Sequence, residues 1–208
     1  MNFSEYKNII FDLGAVIINI DFQKTFEAFA KLGNTDVLQV LKNFEEQKIL
    51  HRYETGEVDD NGFRNLIRKE FGSQLSDEQI DNAWNALLLD IPQERIDLIL
   101  RLKNRYRIFI LSNTNAIHIK GVNAILDKTT GISNLDKIFE KVYYSHEVLL
   151  RKPDVAIYEY VLRDKDLKAS ETIFLDDNLD NIKASERAGI TSLWVNPPLT
   201  ILDLLKDA

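Results

Sequence analysis

The sequence of 208 residues contains no cysteine, which excludes disulfide bonds, thiolate nucleophiles and cysteine-based metal sites. It contains no apolar run near the roughly 20 residues that a membrane-spanning helix needs, and its first residues lack the pattern of a signal peptide. No cluster of lysine and arginine stands out, and the formal net charge is −7, which argues against a nucleic-acid partner. We therefore expect a cytoplasmic protein that binds neither membranes nor nucleic acid.

What the sequence does contain is the composition of an ordinary folded protein, with 45% hydrophobic and 28% charged residues. Five short apolar runs are typical of buried strands in a parallel sheet, and they read IIFDL, RIFILSN, KVYYS, TIFLDDN and TSLWV. Segments with helical spacing precede the second, fourth and fifth runs, namely ERIDLILRLKNR, PDVAIYEYVLRD and NLDNIKASERAG. This alternation predicts the α/β class, as a doubly wound parallel sheet with right-handed crossovers.

The pattern changes between residues 21 and 90, where apolar residues recur at three- and four-residue spacing and no strand-like run occurs. Four helices are predicted there, and a capping box at Ser76 and Gln79 marks the start of the last one. We therefore expect an α/β core formed by residues 1–20 and 91–208. Residues 21–90 would be inserted after the first strand as a helical cap.

Polar side chains follow three of the five runs, at the points where the predicted strands end. They are Asp12 after the first run, Ser112 and Asn113 after the second, and Asp176 and Asp177 after the fourth. Because ligands of open parallel sheets bind at the carboxyl ends of the strands, these side chains should meet in one crevice. The turn Arg151-Lys152-Pro153, just before a predicted helix, can add a positive charge to them.

Carboxylates that meet repel each other unless a cation compensates, and ligation by oxygen atoms alone favours a hard ion such as Mg²⁺. Such a site suits a phosphoryl group, whose oxygens Lys152 and the Ser112 hydroxyl would hold while Asp12 attacks as a covalent nucleophile. Each residue alone also fits a turn, a helix cap or a solvated surface. It is therefore the ordered set that favours a function.

Four segments in this order resemble the motifs of the haloacid dehalogenase superfamily of aspartyl-nucleophile hydrolases. They are FDLGAV, LSNTN, RKP and FLDDNLDN, and the resemblance covers nearly the full length of the chain. The helical insertion lies where superfamily members with a C1 cap carry it, so the resemblance implies a Rossmann-like core with such a cap. More closely, FDLGAVIINIDF, HRYETGEV and FLDDNLDNI resemble the branch of sugar phosphatases that acts on α-D-glucose 1-phosphate.

The resemblance implies a role for each motif residue. The catalytic residues would be Asp12, as the nucleophile, and Lys152, which ties Asp12 to the phosphoryl group. The metal ligands would be Asp12, the backbone carbonyl of Gly14, Asp177 and, directly or from an outer position, Asp176. The phosphate-binding residues would be Ser112, the amide of Asn113 and Lys152. Asn181 stands where many members carry another acid.

Gly14 departs from the superfamily's pattern, because most of its phosphatases carry an aspartate there that protonates the leaving oxygen and activates water. The missing acid counts against a phosphomutase. A sugar 1-phosphate would suffer less from its loss, since an anomeric oxygen is more acidic than an ordinary alcohol. Other groups that can supply a proton are Asp21 at the base of the cap and His51 or Glu54 in HRYETGE, and each of them also fits a helix surface or the packing of the cap. His118 and His146 follow strand ends and can line the crevice or lie in a solvated loop.

We therefore predict a Mg²⁺-dependent phosphatase that hydrolyses a small phosphorylated metabolite, such as glucose 1-phosphate, through an aspartyl-phosphate on Asp12. One alternative is a haloacid dehalogenase-type hydrolase, whose members also lack the second acid; being metal-free, they do not gather carboxylates like Asp176 and Asp177. The other is a degenerate protein that binds phosphate without catalysis, although decay should not spare all four motifs. A monomer or weak homodimer is expected.

Overall fold

The computed structural model describes residues 2–72 and 74–208, and within them a five-stranded, fully parallel sheet forms the centre of the protein. The strands are β1 (Asn8–Phe11), β2 (Arg107–Ser112), β3 (Lys141–Tyr144), β4 (Thr172–Asp176) and β5 (Thr191–Trp194). Each strand falls within or overlaps one of the predicted runs. The predicted α/β class is therefore confirmed.

Eleven α-helices accompany the sheet in the described ranges. They are α1 (Phe22–Leu32), α2 (Val37–Glu46), α3 (Ile49–Glu54), α4 (Asp60–Phe71), α5 (Asp77–Asn85), α6 (Gln93–Leu102), α7 (Ala116–Thr130), α8 (Ser145–Val148), α9 (Val155–Asp164), α10 (Leu179–Arg187) and α11 (Ile201–Leu204). The three helices predicted before the second, fourth and fifth strands correspond to α6, α9 and α10. None of the described helices combines the length and the apolar character needed to cross a membrane.

The order of strands in the sheet is β3-β2-β1-β4-β5, which puts the first strand of the chain in the middle. In register, Asn8 of β1 lies opposite Arg107 of β2 on one side and Thr172 of β4 on the other. The strand order therefore reverses direction at β1. In such sheets the ligand crevice lies at the carboxyl ends of the strands beside this reversal, which here are the ends of β1, β2 and β4.

Alternate residues of β1 face two hydrophobic cores, one on each side of the sheet. Ile9 and Phe11 belong to the core that also contains residues of α6, α7 and α11, whereas Ile10 belongs to the core shared with α9 and α10. All three side chains are fully buried, and burial of each contributes about 1.5–3 kcal/mol to folding. The helices thus cover both faces of the sheet, as a doubly wound fold requires.

Helices α1 to α5 pack around an aromatic cluster of their own. The ring of Trp84 lies 4.8 Å from that of Phe63, 5.9 Å from Phe44 and 6.4 Å from Phe29, measured between centroids. The predicted capping box of Ser76 is present at the start of α5. The division into a core of residues 1–20 and 91–208 and a cap of residues 21–90 stays a prediction.

One predicted helix, DVLQVLKNFEEQKILHRYE, is in fact two. Lys48 adopts a left-handed conformation, with a φ of 49°, so α2 ends before it and α3 begins after it. Phe44 and Ile49 are both buried in the aromatic cluster, yet five residues of continuous helix would turn them about 140° apart. The break lets both face the same core, and the described part of this region has five helices where four were predicted.

No helix was predicted between β2 and β3, but α7 fills that connection with 15 residues. Its apolar side chains do not form one stripe, because Val122 packs in the core of the sheet while Ile117 packs in the cluster of α1 to α5. Gly121 lets the two layers approach closely. A Cβ atom there would lie only 2.7 Å from Cδ1 of Leu88 and 3.2 Å from the side chain of Asn85.

Candidate active site

Three of the predicted site residues lie side by side at the carboxyl ends of β1, β2 and β4. Asp12 follows β1, and its backbone N–H donates to the carbonyl of Leu175 at 2.8 Å, which extends the sheet by one residue. Ser112 is the last residue of β2 and Asp176 the last residue of β4. Parallel strands in register end together, so positions up to 164 residues apart in the chain converge here.

The ammonium group of Lys152 lies between two of these carboxylates. Its Nζ atom is 2.7 Å from Oδ1 of Asp12 and 2.6 Å from Oδ2 of Asp176, and the lysine side chain is 1% exposed. Burial alone would lower the pKa of Lys152, but the two carboxylates outweigh burial and hold this pKa above its usual value. Burial raises the pKa of Asp12, against the opposing effect of Lys152. The lysine therefore remains protonated and its charge holds both carboxylates.

Two asparagine side chains fix these charged groups in place. Asn113 donates from Nδ2 to the carbonyl of Lys152 and accepts from its backbone N–H, both at 2.9 Å. Asn181 donates from Nδ2 to both carboxylate oxygens of Asp176, at 3.0 and 3.1 Å. An acid at position 181 would repel Asp176, whereas the amide stabilises its charge.

Asp177 completes a group of three carboxylates that can hold a cation. One carboxylate oxygen from each of Asp12, Asp176 and Asp177 lies within 4.8 Å of the others. Within the described residues these three negative charges meet the single charge of Lys152, so a divalent cation would balance the site. Oxygen ligands at this spacing suit Mg²⁺. The residues present thus fit the predicted metal, and Gly14, two residues beyond Asp12, lines the adjoining cavity.

A cavity of about 60 Å³ lies between the strand ends and helices α1 to α5. Gly14, Ser112 and Asn113 line it from the sheet side, and Leu50 and Glu54 line it from α3. Most of the remaining lining is apolar. The structure thus brings Glu54 to the same cavity as Gly14, Ser112 and Asn113, whereas Asp12 and Lys152 lie beside this cavity and are not among its described lining residues.

Glu54 also connects α3 to the segment that carries Lys152. Arg151 donates from Nε and Nη2 to Oε2 of Glu54, at 3.1 and 2.6 Å. The glutamate is 7% exposed, and burial raises the pKa of Glu54, although Arg151 opposes the shift.

His118 lines the cavity as well and is buried between α7 and α5. Its ring stacks on Trp84 with the centroids 4.5 Å apart, and its Nδ1 lies 2.9 Å from Oδ1 of Asn85. Burial lowers the pKa of His118 to about 3, so the imidazole is neutral at ordinary pH.

Two other candidate proton donors, Asp21 and His51, and the candidate crevice residue His146 lie elsewhere in the described structure. Asp21 caps α1 by accepting a hydrogen bond from the backbone at 3.0 Å. His51 is exposed and borders a separate pocket, which Arg151 and Lys152 also line. Nδ1 of His146 lies 3.0 Å from the carbonyl oxygen of Thr114. None of the three is among the described residues that line the cavity beside Gly14.

The place of an acid at position 14 is taken by an apolar side chain. A Cβ atom added to Gly14 would lie 3.0 Å from Cδ1 of Ile20, which also lines the cavity. A side chain at position 14 would therefore require Ile20 to shift slightly.

Two contacts of the site could not be predicted from the sequence. Asn113 forms hydrogen bonds with the backbone of Lys152, 39 positions away in the chain. Glu54 accepts hydrogen bonds from Arg151, 97 positions away. No local spacing connects such partners. The available signal was that Asn113 and Arg151 stand inside the motifs LSNTN and RKP.

This combination of a parallel α/β fold and a buried Asp–Lys–Asp arrangement at its switch point agrees with the family comparison. The model of the haloacid dehalogenase-like hydrolase family matches residues 6–189. The chain belongs to this family of hydrolases, and the resemblance inferred from the four motifs is confirmed at that level.

Two characterised relatives are similar over most of their length. The D-ribitol-5-phosphate phosphatase of Bacteroides thetaiotaomicron is 31% identical over 183 residues, which are 88% of this chain and 88% of that protein. The glyceraldehyde 3-phosphate phosphatase of Methanothermobacter thermautotrophicus is 28% identical over 188 residues, which are 83% of this chain and 80% of that protein.

Solved structures of a haloacid dehalogenase family enzyme from B. thetaiotaomicron share the fold. One matches with a TM-score of 0.90 and 34% identity, covering 96% of this chain and 98% of that chain. Another, of the wild-type protein in complex with magnesium and inorganic phosphate, matches with a TM-score of 0.82 and 36% identity, covering 91% and 93%. The likeness therefore extends over the sheet and over helices α1 to α5.

Proposed function

We propose that this protein is a Mg²⁺-dependent phosphatase that hydrolyses a small phosphorylated metabolite through an aspartyl-phosphate on Asp12. The observation that carries the proposal is the position of Lys152 between Asp12 and Asp176, beside the third carboxylate of Asp177. Three carboxylates around one lysine suit a divalent cation and a phosphoryl group. A metal-free dehalogenase would have no use for them.

Each residue has a distinct part in the proposed reaction. Lys152 contacts Oδ1 of Asp12 and so leaves Oδ2 available for in-line attack on phosphorus. The hydroxyl of Ser112 and the backbone N–H of Asn113 donate to the phosphoryl oxygens. Mg²⁺, held by Asp12, Asp177 and the carbonyl of Gly14 with Asp176 beside them, would supply positive charge to those oxygens.

The relatives support a phosphorylated polyol or small sugar as the substrate. D-Ribitol 5-phosphate and glyceraldehyde 3-phosphate, for which the two relatives are named, are both phosphate esters of a primary alcohol. We infer that this chain acts on esters of that kind. Glucose 1-phosphate, which the closer sequence resemblance suggested, is the competing substrate and lacks such support.

The proposal is tested by measuring phosphate release from D-ribitol 5-phosphate, glyceraldehyde 3-phosphate and glucose 1-phosphate, with Mg²⁺ or with EDTA. We expect turnover with Mg²⁺ and its loss in EDTA. The variant Asp12→Asn should lose at least about 10³-fold in kcat, because it removes the nucleophile. Asp180→Asn, which changes an aspartate with a 77% exposed side chain at the start of α10, is the matched control and should leave the rate unchanged.

Equal activity of Asp12→Asn and the unmodified protein would overturn the aspartyl-phosphate mechanism. Chloride release from a 2-haloacid in EDTA, without phosphate release, would identify a dehalogenase instead. Binding of Mg²⁺ and phosphate without turnover of any ester would identify a non-catalytic phosphate-binding protein.

A further inference from the structure

We propose that Glu54 is the general acid and base of the reaction, replacing from α3 the aspartate that Gly14 lacks. The assignment rests on the proposed phosphatase function and goes beyond it, because it names the source of the proton for the leaving oxygen.

The cavity carries the first argument. Glu54 lines it from one side, while Gly14 and Ser112 line it from the other. A phosphoryl group bound by Ser112 and attacked by Asp12 must direct its leaving oxygen away from Asp12, because the displacement is in line. That direction points away from the strand ends towards the helices that cover them, where Glu54 lies.

The contacts of Glu54 carry the second argument. Both Nε and Nη2 of Arg151 donate to the same oxygen, Oε2, at 3.1 and 2.6 Å. Within residues 2–72 and 74–208, Oε1 has no hydrogen-bond partner. Arg151 therefore fixes the orientation of the carboxyl group through one oxygen and leaves the other for a substrate.

The remaining candidates do not fit the role. Asp21 is engaged as the cap of α1, and His51 borders a different pocket. His118 does line the cavity, but it is neutral and its Nδ1 is paired with Asn85. Of the two acidic or histidine residues that line the described cavity, His118 and Glu54, only Glu54 has an acidic group with an oxygen that lacks a hydrogen-bond partner within the described residues.

The surroundings of Glu54 favour its protonated form. It is 7% exposed, and burial raises its pKa, while the positive charges of Arg151 and Lys152 from the core and His51 from its own helix lower it. Burial is the largest of these effects. A buried carboxyl group with a raised pKa is suited to donate a proton and then to accept one.

In the proposed reaction, Glu54 gives a proton in the first step and regains one in the second. Asp12 Oδ2 forms a bond to phosphorus, the bond from phosphorus to the leaving oxygen breaks, and that oxygen takes the proton of Glu54 to leave as an alcohol. Water then attacks the phosphorus of the aspartyl-phosphate and gives its proton to the Glu54 carboxylate. The bond between Asp12 and phosphorus breaks, which releases phosphate and restores both side chains.

The test compares two leaving groups. p-Nitrophenolate leaves without being protonated, whereas an alkyl oxygen needs a proton to leave. For Glu54→Gln we expect kcat on the best alkyl phosphate to fall by about 10²–10⁴-fold. The rate constant of the pre-steady-state burst of p-nitrophenol from p-nitrophenyl phosphate should stay within a factor of about three of the wild-type value. Glu54→Asp keeps an acidic proton. Its kcat on the alkyl phosphate should be at least about tenfold higher than that of Glu54→Gln.

Glu57→Gln is the matched control, since it makes the same change three residues later on a side chain that is 56% exposed, and it should behave as the wild type. Equal losses by Glu54→Gln on both substrates would overturn the proposal and indicate a positioning role through Arg151. No loss on either substrate would also overturn it. A wild-type protein without phosphatase turnover would overturn the proposed function itself, so the two failures are distinguishable.

Discussion

Lys152 is a fully buried charge, and its burial depends on the two carboxylates within 2.7 Å of Nζ. A buried ammonium group without such partners would lose its proton or destabilise the fold by several kcal/mol. The side chain of Asn113 adds two hydrogen bonds to the backbone of Lys152. At the scale of single residues, the site is therefore a balanced set of charges whose members depend on each other.

Replacing Lys152 by methionine should destabilise the protein and abolish its activity. The variant leaves Asp12 and Asp176 buried and uncompensated, which costs about 3–5 kcal/mol in the free energy of unfolding. Urea unfolding in EDTA measures this loss. Lys183→Met changes a lysine on α10 with a 57% exposed side chain and should stay within about 0.5 kcal/mol of the wild type. A loss below about 1 kcal/mol for Lys152→Met would contradict the charge balance described here.

The residue scale is also where sequence reasoning succeeded furthest. Asp12, Ser112, Asp176 and Asp177 were expected at strand ends, and the structure has them there because short apolar runs in a parallel sheet leave the next polar residue at the edge. The sequence could not predict that the side chain of Glu54 lines the cavity. That position depends on the left-handed residue Lys48 and on a partner 97 positions away.

At the scale of elements, α7 packs against both the sheet and the helices that cover the site. Val122 of α7 packs with the sheet, and Ile117 packs with the aromatic cluster of α1 to α5. His118 of α7 stacks on Trp84 of α5. Because apolar residues face both sides, α7 lacks the single stripe by which the other helices were predicted.

Acidification should lower the free energy of unfolding through His118. Its pKa is about 3 in the folded protein, so between pH 6.5 and 3 the unfolded chain binds a proton that the folded chain excludes. Stability due to neutral His118 is therefore complete above about pH 6.5 and falls by about 2 kcal/mol on going to pH 5.

The variant His118→Phe isolates this effect, because it keeps a ring on Trp84 but cannot titrate. Urea unfolding at pH 7.5 and pH 5 should show a smaller drop in stability for the variant, by about 2 kcal/mol, than for the wild type. Identical pH dependence of the two proteins would show that His118 is not buried in the neutral form.

At the scale of the whole molecule, the site joins distant parts of the chain. Asp12 comes from the first strand, and Asp176 and Asp177 come from the fourth, which the sheet order sets beside it. A cavity of about 60 Å³ is far below the roughly 300–1,000 Å³ of pockets that hold drug-sized ligands. The cavity as it stands therefore has room for only a small chemical group.

Magnesium should stabilise the entire fold, since the three carboxylates are close together only in the folded chain. At a concentration 100-fold above its Kd, Mg²⁺ adds about 2.7 kcal/mol, which raises Tm by about 5–10 °C for a protein of this size. Thermal melts with and without EDTA measure the shift. In Asp177→Asn most of the shift should vanish, while Asp180→Asn should retain it. A shift of equal size in Asp177→Asn would contradict the assigned ligands.

The sequence by itself determined the class of fold, the order of the five strands along the chain and the acids at their ends. Those features are local, because they follow from runs of buried residues and from the polar residues that end them. The tertiary structure decided the break at Lys48, the two-sided packing of α7, and the contact that aims Glu54 at the cavity. These features depend on partners far apart in the chain, which only packing brings together.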